Sequence, residues 1–129
     1  IVREDNRIHL LGTVTEENKQ NLLESCSSLI LPTDFEAFGI VNFEASFYKK
    51  PLLLTKLPVF QNILSNKGVI YFNNNLNSLK AAIISFLNLE EEQRKEMGEY
   101  NFRNLKNYSF EKITEKYSKT LNELLIEKV

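Results

Sequence analysis

One stretch, residues 29–55, limits what the rest of the chain can fold into: LILPTDFEAFGIVNFEASFYKKPLLLT. Leu29, Ile30 and Leu31 form a short apolar run that Pro32 closes. Thr33, Asp34, Phe35 and Glu36 make a loop with two carboxylates. Phe38, Gly39 and Ile40 then open a helix whose apolar positions continue through Val41, Phe43, Ala45 and Phe47. Pro51 stops that helix, and Leu52, Leu53 and Leu54 start a second buried strand. A strand, a helix and a second strand at this spacing are a βαβ unit. Its acidic loop lies at the carboxyl end of the first strand, the end where open α/β sheets bind ligands.

Within that unit Glu36 lies in the loop, and Glu44 follows about two helical turns later. Gly39 lies between them, and without a Cβ it lets a ligand approach the backbone. The amides of Gly39, Ile40 and Val41 are unpaired donors at a helix start, where the dipole also favours an anion. Glu44, further into the helix, can accept hydrogen bonds from a vicinal diol such as a ribose. A phosphate on the amides, a ribose on one carboxylate and a polar group near the other make the layout of a nucleotide-sugar site.

The stretch resembles the signature of the group 1 retaining glycosyltransferases (family 4), which have the two-domain GT-B fold. Glu36 and Glu44 match that family's E-x7-E motif, with Phe38 and Gly39 inside it. Upstream, IHLLGTV at residues 8–14 is similar to its strand-glycine-x-valine segment, and Thr15-Glu16-Glu17 to its capped helix start. Downstream, LPVFQNI at residues 57–63, GVIYF at residues 68–72 and YSFE at residues 108–111 resemble further segments in the same order. Position 62 is Asn where the family often has Glu.

The resemblance implies transfer of a sugar from a nucleoside diphosphate to an acceptor, with retention of configuration. By the same resemblance Glu36 sits beside the transferred hexose as the catalytic carboxylate. The amides of Gly39, Ile40 and Val41 face the diphosphate, Phe38 belongs to the same donor-binding segment, Glu44 holds the ribose, and Thr13 and Val14 lie near the base. No metal or other cofactor is expected. The partners implied are a nucleotide-sugar donor and a glycan or glycolipid acceptor, the latter bound by an N-terminal domain outside residues 1–129. A basic pair that neutralises the diphosphate is expected before Ile1. A chain of this kind is expected to be bacterial-type and cytoplasmic, or peripheral at the inner membrane face, and inactive by itself. The alternative is a non-catalytic Rossmann-like binding or scaffold module that kept the fold.

Composition narrows this without choosing a function. The 129 residues are one domain's length, 43% hydrophobic, with a formal net charge of -1. That balance leaves no electrostatic footprint for nucleic acid. The single cysteine, Cys26, excludes an internal disulfide and reads as a small buried apolar group. His9, the single histidine, reads as a packed or edge residue of a strand. No glycine-rich dinucleotide or nucleoside-triphosphate loop is present. No apolar run approaches the roughly 20 residues of a membrane span. Lys49, Lys50 and Lys56 form a small basic group, by default solvated.

The remaining elements follow from periodicity and end signals. Residues 1–7 read as a frayed lead-in and residues 8–11 as a strand ended by Gly12. Thr15 caps a helix over residues 16–26 that presents Leu22, Leu23 and Cys26 on one side. Pro58 precedes a short helix over residues 59–64, and Gly68 turns the chain into a strand over residues 69–72. Leu79, Ala82, Ile83, Phe86 and Leu87 mark the inner face of a helix over residues 76–87. A charged helix spans residues 90–106. Ser109 caps a last amphipathic helix over residues 110–126, with Ile113, Tyr117, Leu121, Leu124 and Leu125 inward.

The expected fold class is therefore α/β: a Rossmann-like parallel sheet flanked by helices, one partial donor-binding domain over residues 1–129, with a helical tail. In the resembled family the strand order is 3-2-1-4-5-6, and the four strands read here correspond to the third to sixth. The strand at residues 8–11 then lacks its usual neighbour. It must slide over, leave an edge open, or be covered by another chain, so self-association or rearrangement is expected on that side.

Overall fold

The computed structural model describes residues 5–126, so most of the expected lead-in at residues 1–7 lies outside the described residues. A three-stranded parallel sheet in the order β1-β2-β3 forms the centre. β1 is Leu29–Leu31, β2 is Leu52–Thr55 and β3 is Val69–Phe72. Leu29 pairs with Leu52, and Leu52 in turn with Val69, so the strands start in register. Buried on both faces, β2 reads as an unbroken apolar run closed by Thr55.

Before and between the strands come α1 (Glu16–Ser25), α2 (Ile40–Phe47) and α3 (Pro58–Ile63). All three pack on one face, where Leu23, Ala45 and Phe60 meet Leu52, Leu54 and Val69. The other face is covered by α4 (Leu76–Leu87), through Ala82 and Phe86 against Leu53 and Phe72. Next come α5 (Glu91–Asn104), a 3-10 turn at Leu105–Tyr108 and α6 (Phe110–Ile126).

The helix starts follow the sequence signals. Thr15 Oγ1 accepts from the Asn18 amide at 3.3 Å, and Asn75 Oδ1 accepts from the Ser78 amide at 2.9 Å. Pro58 occupies the first position of α3, where its missing N–H costs nothing. Gln93 reaches back to accept from the Glu90 amide at 2.8 Å, so Glu90 caps α5 rather than lying inside it. Lys49, at a φ of 56°, turns the chain out of α2 toward Pro51. Over that turn α5 docks closely, because a Cβ on Gly98 would run into the Lys49 carbonyl. Asn101, three residues on along the same helix, donates from Nδ2 to the carbonyls of Lys50 at 3.0 Å and Gly68 at 2.9 Å.

Four expectations are corrected. Residues 8–11 are not a strand; they form an irregular segment in which Ile8, Leu10 and Leu11 stay exposed. A strand needs a hydrogen-bonded neighbour, and this segment has none among the described residues, so three strands form where four were expected. The charged helix ends at Asn104 and tightens into the 3-10 turn, short of Lys106. The face of α6 expected to be inward is exposed along Ile113, Tyr117, Leu121, Leu124 and Leu125. The amphipathic pattern set the helix correctly, but the described residues offer that face no surface to pack on. Leu87 at the end of α4 is likewise exposed.

Candidate functional site

The loop leaving β1 is fixed from the neighbouring strand. Thr55 Oγ1, at the carboxyl end of β2, accepts from the Thr33 amide at 3.1 Å and donates to the Leu31 carbonyl at 3.4 Å. Thr33 Oγ1 then donates to the Phe35 carbonyl at 2.8 Å. Glu36 is half-buried, and its Oε1 accepts from the Ala37 amide at 3.0 Å and the Phe38 amide at 3.4 Å. These contacts shape the loop and leave the second carboxylate oxygen for other partners.

Gly39 is the N-cap of α2 and is left-handed, with φ 75° and ψ 55°. That conformation strains any residue with a side chain, and here space forbids one as well. A Cβ would lie 2.6 Å from Asn42 Nδ2, 2.7 Å from Phe60 Cε1 and 3.4 Å from Glu36 Cγ. Glu36, Asn42 and Phe60 therefore converge on this glycine. The first amides of α2, at Ile40 and Val41, have no carbonyl a turn earlier to bond. Asn42 bonds back to the Gly39 carbonyl at 2.9 Å. Phe38 is partly exposed and stacks on Phe43 at 4.9 Å, with the rings 5° from parallel. Phe43 in turn meets Tyr108 edge-on at 5.1 Å, and the Tyr108 hydroxyl donates to the Ile63 carbonyl at 2.8 Å. The loop, α3 and the 3-10 turn are thereby tied together.

Glu44 faces α1. Its Oε1 lies 2.7 Å from Lys19 Nζ, and the same ammonium lies 2.9 Å from Glu16 Oε2. Lys19 is held above its ordinary pKa, first by Glu44 and then by Glu16, while Glu16 is held below its own by Lys19. The three side chains line a pocket of about 360 Å³ whose apolar wall includes Leu23, Phe43 and Phe47. Thr13 and Val14 line a separate hollow beside Asn18 and Leu22, so the structure does not bring them into the pocket beside Glu44.

Two residues escaped the sequence reading. Lys19 carries no mark in the sequence, because no local pattern signals a contact 25 residues away. Asn42 lies at an apolar-looking helical position, fully buried, and neither Nδ2 nor Oδ1 has a hydrogen-bond partner among the described residues. Elsewhere, His9 is exposed in the irregular segment instead of packed in a strand. Cys26 is half-buried and not fully enclosed; its thiol donates to the Leu23 carbonyl at 3.4 Å, and burial pushes its pKa up. Lys49 pairs with Glu99 at 2.8 Å and Lys50 donates to the Glu24 carbonyl at 2.8 Å, so two of the three grouped lysines are engaged internally. Among the described residues no three His, Cys, Asp or Glu side chains are grouped to hold a metal ion. No described helix is long and apolar enough to cross a membrane.

A family model described as Glycosyl transferases group 1 matches residues 4–104. An uncharacterized glycosyltransferase of Methanocaldococcus jannaschii is 31% identical over 121 residues, covering 92% of this chain and 34% of that protein. An alpha-1,3/1,6-mannosyltransferase of Dictyostelium discoideum is 43% identical over 49 residues, 38% of this chain and 12% of that one. The chain thus spans about a third or less of these relatives. Among solved structures, a sucrose-phosphate synthase from Thermosynechococcus elongatus superposes with a TM-score of 0.77 at 17% identity, over 95% of this chain and 31% of that one. That likeness shows the fold: the chain has the architecture of part of a GT-B glycosyltransferase.

Proposed function

Since this chain belongs to the group 1 glycosyl transferases, we propose that it forms the donor-binding part of a retaining family 4 enzyme of hexosyltransferase type. The observation that carries the reading is the start of α2: two carboxylates, Glu36 and Glu44, flank a left-handed, side-chain-free Gly39 at the carboxyl end of β1.

On this reading the diphosphate of a nucleotide sugar lies against the amides of Gly39, Ile40 and Val41. The leaving diphosphate gains negative charge in the transition state, and oriented donors at a helix start stabilise it there. Glu44 accepts from the ribose hydroxyls. Glu36 faces the hexose with its remaining oxygen, binds sugar hydroxyls and stabilises the positive charge that develops at the anomeric carbon. Phe38 closes the loop over the site by stacking on Phe43. Thr13 and Val14 approach the base, which requires the segment before α1 to move toward Glu44.

The acceptor, a glycan or glycolipid, and a basic pair for the diphosphate are assigned to chain beyond these 129 residues. The isolated chain is accordingly inactive in transfer. The open edge of β1 is where further strands, or a second copy, would join. The reading needs no metal, and it places the enzyme in the cytoplasm or at the inner face of its membrane.

An amide NMR titration with UDP, GDP and ADP tests the donor site. Saturable shifts at Gly39, Ile40 and Glu44 that favour one nucleotide, and that Glu44→Ala weakens at least about tenfold, are expected. A wild-type spectrum that stays unchanged with all three would overturn the assignment.

A further inference from the structure

Among the described residues the ammonium of Lys19 is the one cation in contact with Glu44, and it comes from a different helix. Its position is over-determined. Glu16, one turn earlier on α1, holds Nζ from one side at 2.9 Å and Glu44 holds it from the other at 2.7 Å. A lysine ammonium has three donors, so both bonds can persist at once. Each carboxylate oxygen has two acceptor sites, so Glu44 can keep its bond to Lys19 while accepting from hydroxyls. The side chains of Lys19 and Glu44 are each 32% exposed, open enough on the pocket side for a ligand to reach them.

A free glutamate has three side-chain torsions to order when a ligand docks. A glutamate already held by a cation that is itself held has fewer. We propose that Lys19 is a positioning residue of the donor site, presenting the Glu44 carboxylate to the cis-diol of a ribose, with Glu16 anchoring the lysine in turn. This rests on the donor-site reading above and adds a residue on α1 to a site otherwise built by α2 and its loop. Removing the ammonium frees a side chain whose ordering is then repeated at each binding event, a cost of about tenfold in diol affinity.

The test compares a nucleoside diphosphate with its 2′,3′-dideoxy counterpart on the chain as it stands, by NMR titration or calorimetry. The two ligands carry the same base and diphosphate, so any general loss of positive charge affects both alike. Only the ratio of their affinities reports the diol. In the wild type the ribonucleotide binds more tightly, and Glu44→Gln removes most of that preference. Lys19→Met is expected to lower the preference about tenfold, whatever effect it has on the two ligands in common, and Lys19→Arg to restore it. Lys19→Met weakening both ligands equally, or leaving the ratio intact, would show a merely structural lysine and overturn the proposal. A tighter ribonucleotide in Lys19→Met would overturn it differently, by showing that the lysine competes with the diol. A wild type that binds both ligands equally brings down the assignment of Glu44 to the ribose, and Lys19's role with it. That outcome is visible before any lysine variant is made.

Discussion

The two sides of the sheet make the most instructive contrast in the molecule. On one side, β2 and β3 lie between α3 and α4, and all four residues of β2 are buried. On the other, β1 has a single hydrogen-bonded neighbour among the described residues, Ile30 is 38% exposed although it shares the α4 face with its partner Leu53, and residues 8–11 run free of the sheet. The sequences of the two sides look alike: LLLT in β2, IHLL at residues 8–11. What differs is company. A strand gains its hydrogen bonds from its neighbours, so an apolar run becomes a strand only where another edge is there to receive it.

The largest expected effect sharpens that contrast. Leu54 has no exposed surface, and Leu54→Ala should cost about 2–5 kcal/mol of stability through lost burial and a cavity. Leu10 is 77% exposed, and Leu10→Ala should stay within about 0.5 kcal/mol. Urea denaturation of the two variants measures both. Equal losses would mean that residues 8–11 are packed in solution, on a second copy or on the β1 edge.

Asn42 gives a smaller effect of opposite sign. Two buried polar atoms without partners hold the native state above its optimum. Asn42→Leu is expected to raise stability by about 1–2 kcal/mol if the leucine fits the space of the amide. A loss on urea denaturation would instead show that the amide is satisfied in solution, by water or by the Gly39 loop.

The third prediction concerns pH and leaves the edge of β1 untouched. Tyr71 lies on β3 beneath α3, with its hydroxyl donating to the carbonyls of Phe60 at 3.0 Å and Leu64 at 3.2 Å. Burial pushes its pKa from 10.0 up to about 12. Between those values the unfolded chain loses the proton and the folded chain keeps it. The stability contributed is complete below pH 10.0 and is lost as the pH rises toward about 12. Tyr71→Phe should flatten that part of a stability-against-pH curve, with no change in slope at neutral pH.

Much of this architecture was legible because it is local. The unit from β1 to β2 was bounded by its own punctuation, Pro32, Gly39 and Pro51; its helix begins where Gly39 places it and ends at Phe47, ahead of Pro51, because Lys49 turns the chain first. The cap at Thr15 behaved likewise. Pattern without a partner behaves differently: the apolar run at residues 8–11 and the stripe from Ile113 to Leu125 both announce burial, and neither finds a surface among the described residues. In the candidate site, Glu36, Gly39 and Glu44 stood out because one loop and one helix carry them in a motif that resembles a known family's. Lys19 and Phe60 did not, because they reach it across the fold, and a linear sequence carries no mark of which helix faces which. Asn42 hid for another reason: a polar residue at an inward helical position looks like an error in the pattern until its burial is seen.

The side chain of Asn101 has a consequence for how the molecule opens. The Gly68 carbonyl it holds also accepts from the Leu52 amide at 3.1 Å, the first amide of β2. One carbonyl thus joins the entrance of β2, the turn into β3 and the middle of α5. That end of the sheet is thus pinned by α5 as well as by its own ladder, and freeing it means breaking both bonds. The sheet and α5 are therefore expected to open together, as one protection class in amide hydrogen exchange.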